Sequence, residues 1–168
     1  MLENYKTATL IRNMGISGPD GTYGKMSAPG FDSVSMERPP AGVVLHPIIP
    51  IPIIKPYFTE LALSPDFYAQ GLDLGYGRGM IYHVRGVPGR DYILIHPANW
   101  PVMIIKANDP QHYQLLGCIA LGAAIAMIQV PEPDGRTLKG ITSSVEACRA
   151  FYAAMKGQPF WLDIKEVA

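Results

Sequence analysis

Cys118 is the residue in this sequence best suited to covalent chemistry. It follows Gly117 in the segment Leu-Leu-Gly-Cys-Ile-Ala-Leu-Gly, and a nucleophilic cysteine needs a base that takes its proton and donors that hold an oxyanion. Gly117 would allow a substrate close to the backbone, and the amides of Gly117 and Cys118 could donate to that oxyanion. The alternative is a packing role, because free cysteines are among the most often buried residues. For Cys148, on the apolar face of a predicted helix, packing is the interpretation we favour.

His96 is the candidate base for Cys118. It ends the apolar segment Tyr-Ile-Leu-Ile-His and leads into a loop that contains Asn99. A histidine at the end of a strand is well placed to accept a proton, and Asn99 or a backbone carbonyl could orient its ring as the third member of a triad does. Taken alone, His96 would fit a structural histidine that is held by hydrogen bonds better than a catalytic base.

The sequence offers no pattern for a metal or a cofactor, and we predict neither. His46, His83 and His112 have no ligand-like spacing, and neither His-x-x-x-His nor Cys-x-x-Cys occurs. A zinc site would need three or four converging ligands. The glycine-rich segment at 71–79 lacks the Lys-Ser/Thr and the following helix of a phosphate-binding loop, so it is interpreted as a flexible loop.

Length, composition and charge narrow the class of protein. The chain has 168 residues, about half of them apolar, which fits one domain (residues 1–168) with a real core. Its formal net charge is zero, which argues against nucleic acid or an anionic membrane as the main partner. No secretory signal and no apolar run of bilayer-spanning length is apparent. We therefore expect synthesis in the cytoplasm without membrane insertion.

The pattern of apolar residues predicts an α+β fold that is predominantly β, a small β-sandwich or barrel with one C-terminal helix. Dense glycine and proline turns separate short apolar runs, which is typical of β structure. A stretch at 124–130 fits strand or helix equally well. The predicted strands are Tyr5–Ile11, Tyr23–Met26, Phe31–Met36, Tyr57–Leu63 (ended by Ser64-Pro65), Met80–Val84, Tyr92–His96, Pro101–Ile105, Gly117–Leu121 and Pro159–Lys165.

Two other segments have distinct patterns. Ser144–Lys156 is predicted as a helix with an apolar face, begun by a capping box of Ser143 and Glu146 and ended by Gly157. Residues 39–56 hold six prolines among valines and isoleucines. Because proline is excluded from central strands, this segment is predicted to be an extended, apolar, irregular arm.

Several of these motifs together resemble a known family. The run from Val87-Pro-Gly-Arg to His96, then Asn99, then Gly117-Cys118-Ile-Ala-Leu-Gly, resembles a small-domain family of phage and bacterial proteins long described as of unknown function. The landmarks Glu37-Arg-Pro, Ser64-Pro-Asp-Phe, the Ser143-Ser144 helix start and the ending Pro-Phe-Trp-Leu-Asp-Ile extend the resemblance over about residues 22–166. That family is in turn similar to the L,D-transpeptidase (YkuD-type) catalytic domain.

The resemblance implies a mostly β domain in which the Cys118 thiol, activated by His96, acts on the peptide stems of peptidoglycan as a hydrolase or transpeptidase. Three positions depart from the transpeptidase motif: Leu116 stands where it has His, Ala120 where it has Asn or Arg, and Pro97 where it has Gly or Ser. Arg90 is predicted to replace the lost positive charge towards a stem carboxylate.

The departures keep a second hypothesis open, a catalytically inactive structural or interaction module such as a component of a phage particle. The partners expected are therefore peptidoglycan stems or other phage particle proteins. The protein would then be assembled into a particle, or released to the periplasm by another factor.

Overall fold

The computed structural model describes residues 4–39, 49–53, 55–112 and 114–168 of the chain. Twelve strands and two helices lie within these residues. They are β1 Lys6–Asn13, β2 Thr22–Ala28, β3 Phe31–Glu37, β4 Tyr57–Leu63, α1 Pro65–Ala69, β5 Met80–Val84, β6 Ile93–Ile95, β7 Ile104–Lys106, β8 Asp109–His112, β9 Ala120–Gly122, β10 Ile125–Gln129, β11 Thr137–Ile141, α2 Ser144–Met155 and β12 Phe160–Val167.

Eight of these strands form one nearly closed, barrel-like sheet. Their order is β6-β5-β4-β12-β1-β2-β3-β9, and the neighbours are antiparallel apart from the parallel pair β1–β12. A parallel bridge between Ile95 and Ile119 brings the two ends together. The amide of His96 donates to the Ile119 carbonyl at 3.0 Å, and the Ile119 amide donates to the Leu94 carbonyl at 2.9 Å. The barrel therefore closes between the two segments that carry His96 and Cys118.

The helix α2 packs against β9, β3 and β2. Its buried face includes Cys148, Phe151, Tyr152 and Met155, and the Phe151 ring meets that of Phe160 on β12 edge to face with 5.5 Å between centroids. Full burial of one such side chain contributes about 1.5–3 kcal/mol to the free energy of unfolding. Together with the eight-stranded sheet, this helix confirms the prediction of a mostly β fold with one C-terminal helix.

Local details differ from the sequence-based expectations. The chain continues from Ser64 into the short helix α1, and β8 and β11 were not predicted. The stretch at 124–130 forms a strand, β10, paired with β11. The predicted capping box does not form, because Ser143 adopts a left-handed conformation and its side chain makes no capping hydrogen bond.

Residues 40–48 and 54 of the proline-rich arm lie outside the described residues, and its described part at 39, 49–53 and 55–56 contains neither helix nor strand. Ile49 is fully buried, and its carbonyl accepts a hydrogen bond of 2.6 Å from the guanidinium of Arg12. The Tyr57 hydroxyl donates to the Pro50 carbonyl at 2.9 Å. The end of the arm is therefore tied to the barrel. No helix in the described part of the chain is long and apolar enough to cross a membrane.

Candidate functional site

Cys118 and His96 line one groove beside the closure of the barrel. A pocket of about 400 Å³ includes both of them together with Phe67, Gln70 and Gln114. A second pocket of about 420 Å³ shares His96, Phe67, Gln70 and Gln114 and extends to His112. Because four residues line both pockets, we treat them as one groove, with a Cys118 end and a His112 end.

A somewhat larger cavity, of about 450 Å³, lies elsewhere, between the proline-rich arm and Trp161. Its lining is mainly apolar and contains neither cysteine nor histidine. The groove at the closure is therefore the concave site in which the candidate nucleophile and base occur together.

His96 is held as a neutral imidazole with one defined tautomer. Its Nδ1 lies 3.0 Å from the Pro97 carbonyl oxygen, and because a carbonyl can only accept, the proton resides on Nδ1 and leaves Nε2 with a free lone pair. The ring stacks at an angle against Phe67, with 4.9 Å between centroids. Burial lowers the pKa of His96 to about 4, although the hydrogen bond with Pro97 acts in the opposite direction.

This burial predicts a pH-dependent stability. The pKa of His96 is about 4 in the folded protein against an ordinary value of 6.5, so between these pH values the unfolded chain binds more protons, and stability is lost as the pH falls. We expect a loss of about 3 kcal/mol in the free energy of unfolding across this range, measured by urea denaturation at a series of pH values. The His96→Gln variant should lack this component, and an equal pH dependence in both proteins would contradict a buried neutral imidazole.

Cys118 is buried beside His96 and is a neutral thiol at rest. Only 7% of the residue is exposed, and Sγ donates to the Tyr92 carbonyl at 3.8 Å. Burial raises the pKa of the thiol, while hydrogen bonds with the backbone at Leu94 and Leu116 and the charge of Arg90 act against the rise. Between the described side chains of Cys118 and His96 no hydrogen bond is formed. The site therefore holds no resting thiolate–imidazolium pair.

Tyr92, which accepts the Cys118 hydrogen bond, has an unusual backbone. Its φ of 56° lies in the left-handed region, where non-glycine residues are uncommon and which often marks functional positions. The side chain is 69% exposed. This conformation turns the Tyr92 carbonyl towards the thiol and the ring towards the solvent-exposed rim.

Gly117 and Arg90, both predicted site residues, are in contact. Gly117 has a φ of 103°, and a Cβ at this position would collide with the Arg90 guanidinium. Arg90 Nη2 donates to the Leu116 carbonyl at 2.8 Å, so its guanidinium lies against Gly117. In the described part of the chain no carbonyl accepts from the amides of Gly117 and Cys118, which leaves these two donors for an oxyanion.

Asn99 does not provide the orienting hydrogen bond of His96, because the Pro97 carbonyl fills that position. The group that orients the ring is thus a backbone carbonyl, the alternative to Asn99 that the sequence left open. The backbone N–H of Asn99 instead donates to Gln114 Oε1 at 2.8 Å, and the backbone carbonyl of Asn99 accepts from the Ile141 N–H. Asn99 thus joins the loop after β6 to β11.

Two hydroxyl groups of α2 hold the segments that carry His96 and Cys118, and no sequence signal identified them. Ser144 Oγ accepts from the Ala98 amide at 3.0 Å and donates to the Leu121 carbonyl at 2.6 Å. Tyr152 Oη donates to the Ile95 carbonyl at 2.7 Å. The helix therefore fixes the backbone on both sides of His96 and links it to the strand that follows Cys118.

The remaining histidines and Cys148 do not join Cys118 and His96 in a metal site. His83 is buried on β5, 6.2 Å between ring centroids from Tyr92, whereas His112 pairs with Asp109 at 2.9 Å. His46 lies outside the described residues. Burial raises the pKa of Cys148 to about 12. Over the ranges that the structure describes, no group of three or more His, Cys, Asp or Glu side chains could hold a metal ion.

Comparison of the chain with protein-family models, with curated proteins and with solved structures gives no match in any of the three.

Proposed function

We propose that this protein is a cysteine-dependent hydrolase or transpeptidase that acts on the peptide stems of peptidoglycan. The observation that carries the proposal is the presence of Cys118 and a tautomerically fixed His96 in the lining of one groove. The resemblance of the surrounding motifs to L,D-transpeptidase domains supports the choice of substrate. The phage setting, with assembly into a particle or release to the periplasm by another factor, belongs to the same proposal.

The resting state favours general-base catalysis over a preformed ion pair, because burial disfavours the charged form of both groups. In the proposed step, Sγ leaves the Tyr92 carbonyl, its proton passes to Nε2 of His96, and sulfur attacks a carbonyl carbon of the stem. The tetrahedral oxyanion accepts from the Gly117 and Cys118 amides. Its collapse breaks the C–N bond, and the leaving amine takes the proton from His96.

The thioester on Cys118 is then resolved by a second nucleophile. Water, with His96 again as base, releases a carboxylic acid and makes the enzyme a hydrolase. An amine of a neighbouring stem forms a new amide and makes it a transpeptidase. Both outcomes regenerate the thiol.

The test is mass spectrometry of peptidoglycan fragments after incubation of purified sacculi with the protein. We expect stems that are shortened or newly cross-linked. Cys148→Ala should give the same products, because Cys148 lies on the buried face of α2. An unchanged set of fragments after prolonged incubation with the folded protein would contradict the proposal.

A second candidate function is a binding module without catalysis. The observation that favours it is the Cys118 thiol itself, which is buried and donates to the Tyr92 carbonyl. Leu116 and Ala120, which differ from the transpeptidase motif, point in the same direction. A module of this kind, for example in a phage particle, would retain peptide binding in the groove and leave the peptidoglycan fragments unchanged.

A further inference from the structure

The groove carries opposite charges at its two ends. Asp66, in the first turn of α1, and Asp91, next to Tyr92, line the Cys118 end. Lys106 lines the other end, beside His112, whose ring is paired with Asp109. Over the described ranges neither Asp66 nor Asp91 takes part in an ion pair, and Lys106 has none either. The groove therefore offers carboxylates at one end and an ammonium group at the other.

Gln114 places a fixed donor between these ends. Its Oε1 accepts from the amides of Asn99 at 2.8 Å and Trp100 at 3.1 Å, and because both partners are N–H groups, the orientation of the side-chain amide is defined. Gln114 lines both pockets. Within the described residues nothing accepts from its NH₂ group, which leaves this group for a carbonyl oxygen in the groove.

We propose that the groove binds a short extended peptide with an ammonium group at the Asp66–Asp91 end, a free carboxylate at the Lys106 end, and a backbone carbonyl on Gln114 between them. The inference rests on the proposed function in that it assigns the groove to the substrate. It adds the charge pattern of that substrate and the direction in which it lies.

The test uses the full chain with the Cys118→Ala substitution, so that binding is measured without chemistry. The probe is Nα-acetyl-Lys-D-Ala, compared by isothermal titration calorimetry with its Nε-acetylated form and with its C-terminal amide. Loss of either charge should weaken binding about threefold or more, the range of a partly solvated ion pair.

Variants assign each charge to one end of the groove. In the Asp66→Asn/Asp91→Asn background, Nε-acetylation should no longer weaken binding while amidation still does. Lys106→Met should show the reverse. Gln114→Leu should weaken all three peptides by a similar factor, because it removes a hydrogen bond common to them. Lys165→Met, a matched control on β12 outside the groove lining, should leave all three affinities unchanged.

The proposal is overturned if the parent peptide does not bind at millimolar concentration, or if both charge variants respond alike to both modifications. These outcomes are separate from the fate of the proposed function. The predicted charge pattern with unchanged peptidoglycan would refute catalysis and retain the binding site. Altered peptidoglycan without the charge pattern would refute this inference alone.

Discussion

Cys118→Ala should abolish the change in peptidoglycan stems, with kcat/KM lowered by about 10⁴-fold or more, the scale seen when a catalytic nucleophile is removed. The reason is that no other described thiol lies in the groove, since Cys148 is fully buried in the core. The measurement is the rate of product formation from a defined stem peptide by mass spectrometry. A thermal melt close to that of the wild type would confirm that the variant is folded.

The His96→Gln variant tests the proposed general base. Gln retains a polar side chain of similar length and lacks a basic nitrogen, so the rate should fall by about 10²–10⁴-fold, the usual contribution of a general base. Because nucleophile and base act as one unit, the double variant should be no slower than Cys118→Ala alone. A wild-type rate in a single variant would remove the substituted residue from the mechanism.

The largest effect on stability is expected at Arg12. This guanidinium is 1% exposed and makes a bidentate pair with Glu37, through Nε at 2.7 Å and Nη2 at 2.8 Å. It also binds the Ile49 carbonyl of the arm and Glu166 at 3.2 Å. Arg12→Leu leaves the buried Glu37 carboxylate without its partner, and removal of one member of a buried pair costs about 3–5 kcal/mol.

Urea denaturation measures this change in the free energy of unfolding. The matched control is Arg85→Leu, because the Arg85–Glu60 pair has a similar distance of 2.9 Å and is exposed. Its loss should cost about 1 kcal/mol or less. Arg12→Leu/Glu37→Leu should recover part of the stability, since no buried charge remains. Equal effects of Arg12→Leu and Arg85→Leu would contradict the account of the buried pair.

The fold could be predicted from the sequence where local periodicity determines it. The alternation in Phe31–Met36 and the apolar face of α2 are local patterns, and both elements form. The capping box failed because Ser143 is drawn into a left-handed conformation, while Ser144 instead joins Ala98 to Leu121. That junction depends on chain segments distant in sequence, which periodicity cannot reveal.

The candidate site, too, could be predicted from the sequence only in part. The chemistry of Cys118 and the strand-end position of His96 are visible in the sequence, and both residues line one groove. The Pro97 carbonyl as ring partner, the role of Gln114 and the supporting hydroxyl of Tyr152 are not visible, because each depends on how the barrel closes. Backbone carbonyls are present at every residue, so composition carries no signal for them.

Attack of Cys118 on a stem peptide can be detected as a covalent adduct, by measuring the intact mass of the protein after rapid acid quenching with substrate. We expect a mass increase equal to the acyl part of the stem, located by peptide mapping on Cys118 and lost in Cys118→Ala. Stem turnover by the wild-type protein with no adduct on Cys118, or an adduct that persists in Cys118→Ala, would contradict it.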